Sequence, residues 1–300
     1  MLLVSILTIL LSCFSTLVQP RPDHALSWQD TKQVIAFGDS YTCVQGSHGR
    51  QKYSFIGDVQ TLSYNVSTLL SNEIVHNQIA TAEGGPNWLE FLTGCGLQSG
   101  LMNPRQCERQ LWYFAFAGAD ISEEFPETSL HHNFTVSSVR QIEQFKSYGH
   151  PVLETFIDME RTLVTVWIRT NDINDSADSE TAGNRLRVQK GQDAMPNKTM
   201  VQWWNRAFEM QVGAFEDGQK GARARLFDAN ALLNGMTDEP AAYGIRDITG
   251  YFGAAYNQPY INEDPASYGC LPLDEYFWFD TAHLTSHVHK IIAMAVEAFL

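Results

Sequence analysis

No charged side chain precedes Arg21, and along all 300 residues 20 Lys and Arg face 34 Asp and Glu. The scarcity of cations excludes nucleic-acid binding, which needs clustered Lys and Arg against a phosphate backbone. A net charge of −14 favours a neutral or cationic substrate over a polyanion. The Gly-x-Ser-x-Gly elbow is absent from the chain, which argues against the α/β-hydrolase fold. Also missing is a glutamate beside His283, where Leu284 stands, so His283, His287 and His289 do not form the zincin pattern and no metal is expected. The longest apolar run, Leu2 to Val18, is diluted by hydroxyl residues and falls short of the ~20 apolar residues of a membrane span. No stable membrane insertion is therefore expected. No internal repeat is evident.

That run has the length of a signal-peptide core, so residues 1–20 read as a leader and residues 21–300 as one domain. Four Asn-x-Ser/Thr sequons, at Asn65, Asn133, Asn174 and Asn197, agree with export to an extracellular location, where they would carry glycans. Beyond Cys13 in the leader there are four cysteines, an even number suited to an oxidising compartment. Three pairings are open. The stretch from Cys95 to Cys107 contains Gly96, Gly100 and Pro104 and permits a closed loop, which would leave Cys43 with Cys270; buried thiols are the alternative.

Val34 to Phe37 is a short, unbroken apolar run ended by Gly38, the pattern of a strand buried on both faces. Similar runs occur at Leu111 to Ala117 and Leu163 to Ile168, and a weaker one at Ala224 to Phe227. Helical spacing marks Val136 to Tyr148, Met200 to Phe215 and Val288 to Leu300. Strands separated by helix-sized segments predict an α/β fold with a mainly parallel sheet between helical layers. Ligands in such folds bind at the carboxyl ends of strands. The polar stretch Asn174 to Thr199 reads as a solvated surface loop.

Four segments at strand ends carry chemistry. Gly38-Asp39-Ser40 sets a hydroxyl on a tight turn. Asp280 and His283 are three apart, so in a turn the carboxylate can orient the imidazole while the ring takes a serine proton. Gly118 can offer an open backbone N–H, and Asn171 can aim its amide at a developing oxyanion. Each segment alone is weak: taken singly, Gly118 reads as a turn glycine, Asn171 as an Asx-turn residue, and Asp280 or Thr285 as a helix cap beside a surface histidine.

Together, in this order, the blocks Gly38-Asp39-Ser40, Gly118, Arg169-Thr170-Asn171-Asp172 and Asp280-Thr281-Ala282-His283 resemble the SGNH (GDSL-type) hydrolases. The likeness runs from residue 34 to 290. It implies a three-layer α/β/α sandwich of flavodoxin-like type, with Ser40 as nucleophile and Asp280 and His283 completing a triad. Ser40 N–H, Gly118 N–H and the Asn171 side chain would form the oxyanion hole. No cofactor is implied.

Two positions depart from that pattern. Arg169 stands where the family has glycine, and Leu284 where it has proline. Gly84-Gly85-Pro86-Asn87-Trp88 and His131-His132-Asn133 are similar to the secreted fungal acetylesterases of carbohydrate esterase family sixteen. That likeness implies a monomer acting on an ester substrate, an acetylated plant cell-wall carbohydrate, with Trp88 as an aromatic wall against the sugar. A lipase acting on longer acyl chains, or an inactive carbohydrate-binding relative, are the competing expectations. Trp203 and Trp204 are adjacent on a predicted helix and cannot share one face, so at least one belongs to the core.

Overall fold

Six consecutive residues of strand β1, Gln33–Gly38, are all buried, as an apolar run flanked on both sides requires. In the computed structural model, β1 lies between β2 (Gln110–Tyr113) and β3 (Thr162–Trp167), and both neighbours run parallel to it. Val34 is level with Leu111 on one side and with Leu163 on the other. The structure describes residues 27–44, 66–74, 84–123, 135–173, 198–218, 223–252 and 263–300. Residues 1–20, expected as a leader, the four sequon asparagines, His131, His132 and residues 174–197 lie outside these.

The described helices are α1 (Val66–Ser71), α2 (Trp88–Thr93), α3 (Ser138–Gln144), α4 (His150–Leu153), α5 (Lys198–Gly218), α6 (Ala229–Asp238) and α7 (Ser286–Phe299). Helix α3 packs on β1, α2 packs on β2, and α7 packs along α2. This is a mixed α/β fold with a parallel sheet, compatible with the expected three-layer sandwich. A second parallel pair joins β4 (Asp247–Tyr251) to β5 (Tyr276–Trp278), directly ahead of the Asp280 turn.

Helix α5 separates the two adjacent tryptophans: Trp204 is 1% exposed and Trp203 is 51% exposed. Among the described residues, no helix is long and apolar enough to cross a membrane.

Three expectations are corrected. The run Ala224 to Phe227 is not a strand; Leu226 is 38% exposed, so the apolar residues there have no sheet to enter. The β2 ladder ends at Tyr113, earlier than expected, although Phe114 and Phe116 still donate their N–H groups to Ala36 and Gly38 carbonyls. Cys95 and Cys107 are joined, but no bridge links Cys43 to Cys270. Cys43 is buried with Ala115 and Ala117 behind the β1 turn. Cys270, a half-buried thiol, packs with Phe252, Tyr276 and Phe279 in a separate cluster.

Candidate active site

The chain leaves β1 through Gly38, whose φ of +147° is open to glycine and rarely to other residues. A Cβ there would collide with the Trp167 carbonyl oxygen at the end of β3. Asp39 N–H donates to that same oxygen at 3.1 Å, so the two strand ends close on each other. Buried Gln141 of α3 clamps the turn from behind: its amide oxygen accepts from Gly38 N–H at 2.9 Å, and its Nε2 donates to Gly38 O at 2.8 Å. The turn continues with Thr42 and Cys43 N–H groups donating to Asp39 O, and Ser40 stands at its apex.

Near the other end of the sequence, the Asp280 turn is built by its own side chain. Asp280 Oδ1 accepts from the N–H groups of Ala282 and His283, each at 2.7 Å, an Asx-type closure. The turn is flanked by Phe279 N–H donating to His283 O and by Thr285 N–H donating to Phe277 O. Thr285 then caps α7, accepting from Val288 N–H, and donates its hydroxyl to Tyr276 O. The cap and the Asp280–His283 pair thus coexist in one loop.

Folding brings the two turns together across 243 residues of sequence: His283 Nε2 lies 2.8 Å from Ser40 Oγ. His283 Nδ1 lies 2.9 Å from Asp280 Oδ2. With Nδ1–H donated to the carboxylate, Nε2 is left as the acceptor for the serine hydroxyl. Burial opposes charge on Asp280, but the hydrogen bond and charge of His283, with the two backbone N–H groups, outweigh it and hold the carboxyl below its ordinary range. Asp280 therefore stays ionised beside the ring.

The other two blocks meet each other as well. Gly118 sits in the left-handed region at φ +73° after the Phe116 N–H bond to Gly38 O. Asn171 Nδ2 donates to Ala119 O at 2.9 Å, using one of its two N–H groups. Buried Asp172 accepts from Ile121 N–H at 3.1 Å, which pins the same loop.

Arg169 explains its own departure from glycine only in part. Its φ is +115°, the conformation glycine would adopt freely. Its guanidinium instead reaches α5, donating to Asn205 at 2.7 Å and lying over the rings of Trp204 and Phe208. Burial lowers its pKa, and Asp172 opposes that shift.

Trp88 is not placed as a sugar platform. It is 4% exposed and its ring lies against Trp167, which leaves no open face. The surrounding glycines serve packing: side chains at Gly84 and Gly85 would run into Phe279 and Ser286. Asn87 forms a capping box with Glu90 on α2 and donates Nδ2 to Thr42 O, tying this segment to the Ser40 turn.

Two titratable groups near Ser40, Asp39 of the Gly38-Asp39-Ser40 block and His289 of the rejected metal pattern, are buried. Asp39 is fully enclosed, and burial pushes its carboxyl up to about 7 against the pull of the Tyr41 N–H and the charge of His283. His289 accepts from Trp88 N–H on Nδ1, and burial, helped by the charge of His283, pushes its imidazole down to about 3. Asp39 stands in a turn with no period, and nothing in the residue pattern around His289 marks its burial. Among the described residues, no cluster of His, Cys, Asp and Glu could hold a metal ion.

No family model matches the chain. An acetylesterase from Thermothelomyces thermophilus is 24% identical over 304 residues, spanning 89% of this chain and 87% of that protein.

Proposed function

We propose that this chain is a secreted serine esterase of SGNH type that removes acetyl groups from plant cell-wall carbohydrate, working as a single domain and as a monomer. The likeness to an acetylesterase over most of both chains supports ester hydrolysis. The observation that carries the serine mechanism is the unbroken line from Asp280 through His283 to Ser40.

Ser40 Oγ attacks the ester carbonyl and passes its proton to His283 Nε2. The carbonyl oxygen becomes an oxyanion, for which Ser40 N–H, Gly118 N–H and the second Asn171 amide proton would be the donors. Collapse expels the sugar oxygen, which takes the proton from His283 to become a hydroxyl, and leaves acetyl on Ser40. Water then attacks the acyl-enzyme, one of its protons passes through His283 to Ser40 Oγ, and acetic acid departs carrying the other, which it gives up to solvent to become acetate. Each proton is thus accounted for by Ser40, His283, water and the products.

A chain-length series of aryl esters, run beside acetate release from acetylated xylan, tests the substrate. Preference for acetate with release from the polysaccharide supports the reading; preference for octanoate assigns the site to longer acyl chains instead. Ser40→Ala should lower kcat by roughly 10⁶.

A further inference from the structure

Tyr41 follows the nucleophile directly, yet its side chain serves the far end of the sequence. Its hydroxyl donates to Ala282 O at 2.6 Å, across 241 residues. Its ring stacks on Trp167 with centroids 5.8 Å apart and planes 5° apart, and tilts against His283 at 5.7 Å. Its backbone N–H donates to Asp39 Oδ1 at 3.0 Å, which holds it in the β1 turn.

The Ala282 carbonyl and the His283 N–H belong to one planar peptide unit. Asp280 Oδ1 holds the N–H end, and Tyr41 holds the oxygen end. Asp280 moves with the turn it closes, so it fixes the shape of the turn and not its place relative to Ser40. Tyr41 moves with Ser40. On the reading that Ser40 is the nucleophile, we infer that Tyr41 is a positioning residue whose hydroxyl straps the His283 peptide to the nucleophile turn and sets the 2.8 Å Ser40–His283 contact.

Tyr41→Phe keeps the ring and removes the hydroxyl that makes the strap. Inactivation of the full chain by a fluorophosphonate separates the reactivity of Ser40, read as kinact, from probe affinity, read as KI. Loss of one hydrogen bond should lower kinact, and kcat on an aryl acetate, by roughly 3- to 10-fold with KI and KM unchanged. Rates are taken per labelled site, so a partly folded preparation does not mimic the effect. Equal kinact in parent and variant overturns the inference, as does a loss confined to KI and KM. A Tyr41→Phe protein that melts below the assay temperature also overturns it, since the hydroxyl would then hold the fold and not the turn. Absence of labelling at Ser40 in the parent overturns both the inference and the esterase reading on which it rests, whereas labelled parent with an unchanged variant overturns the inference alone.

Discussion

Gly38 and Trp167 approach so closely that no side chain can stand between them: a methyl group on Gly38 would overlap the Trp167 carbonyl oxygen that accepts the Asp39 N–H. The contact sets where β1 stops and therefore where Ser40 begins. Gly38→Ala adds both this collision and a left-handed backbone strain, together about 3 kcal/mol or more. Urea unfolding should show that loss together with a collapse of esterase activity. A variant as stable and active as the parent would mean the strand ends are not closed in this way.

Asn171 spends one amide proton on Ala119 O and keeps the other. Asn171→Ala should lower kcat roughly 10²- to 10³-fold with little change in KM, the signature of a group that acts on the transition state. Loss of thermal stability with kcat retained would make it a loop tether only.

The buried acid Asp39 gives a pH-dependent stability of definite sign. Its folded pKa is raised from 3.8 to about 7, so its contribution is fully present below pH 3.8 and is lost as pH rises towards 7. Asp39→Asn does not titrate. Its stability relative to the parent should therefore grow through this window, by at most about 4 kcal/mol. His289, pushed down to about 3, contributes in the opposite sense: that stability is present above its ordinary pKa and fades as pH falls towards 3. It is shared by both proteins and cancels in the difference. Melting curves of the pair from pH 3.5 to 8 check this, and a constant offset would contradict an enclosed, neutral Asp39.

Arg169 holds a positive φ that costs a side-chain residue energy while its guanidinium gains contacts on α5. Alanine and glycine at this position both lose the contacts, but only glycine relaxes the backbone. Arg169→Gly should therefore be more stable than Arg169→Ala by about 1 kcal/mol or more. Equal stabilities would remove the strain from the account.

Strands β1, β2 and β3 were legible in the sequence because each carries a continuous apolar run such as Val34 to Phe37, although β3 is only half-buried along its length. Strand β4 escaped notice because Asp247-Ile248-Thr249-Gly250-Tyr251 is half-exposed and carries a glycine, and β5 is only three residues long. The Ser40, Asp280 and His283 blocks were legible because each is local. What joins them was not: Gln141 reaches Gly38 across 103 residues and Tyr41 reaches Ala282 across 241, and neither shows a motif. The second disulfide failed for a related reason, since even cysteine counting ignores that buried Cys43 and half-buried Cys270 pack in different clusters.

We propose above all that Ser40 is a nucleophile activated by His283 and Asp280. Reaction with a fluorophosphonate, followed by mass mapping of the modified peptide, tests it most directly. We expect one adduct, on Ser40, absent from Ser40→Ala and formed far more slowly in Asp280→Asn, where the imidazole loses its orienting carboxylate. An adduct on another residue, or none in a preparation that hydrolyses esters, contradicts the account.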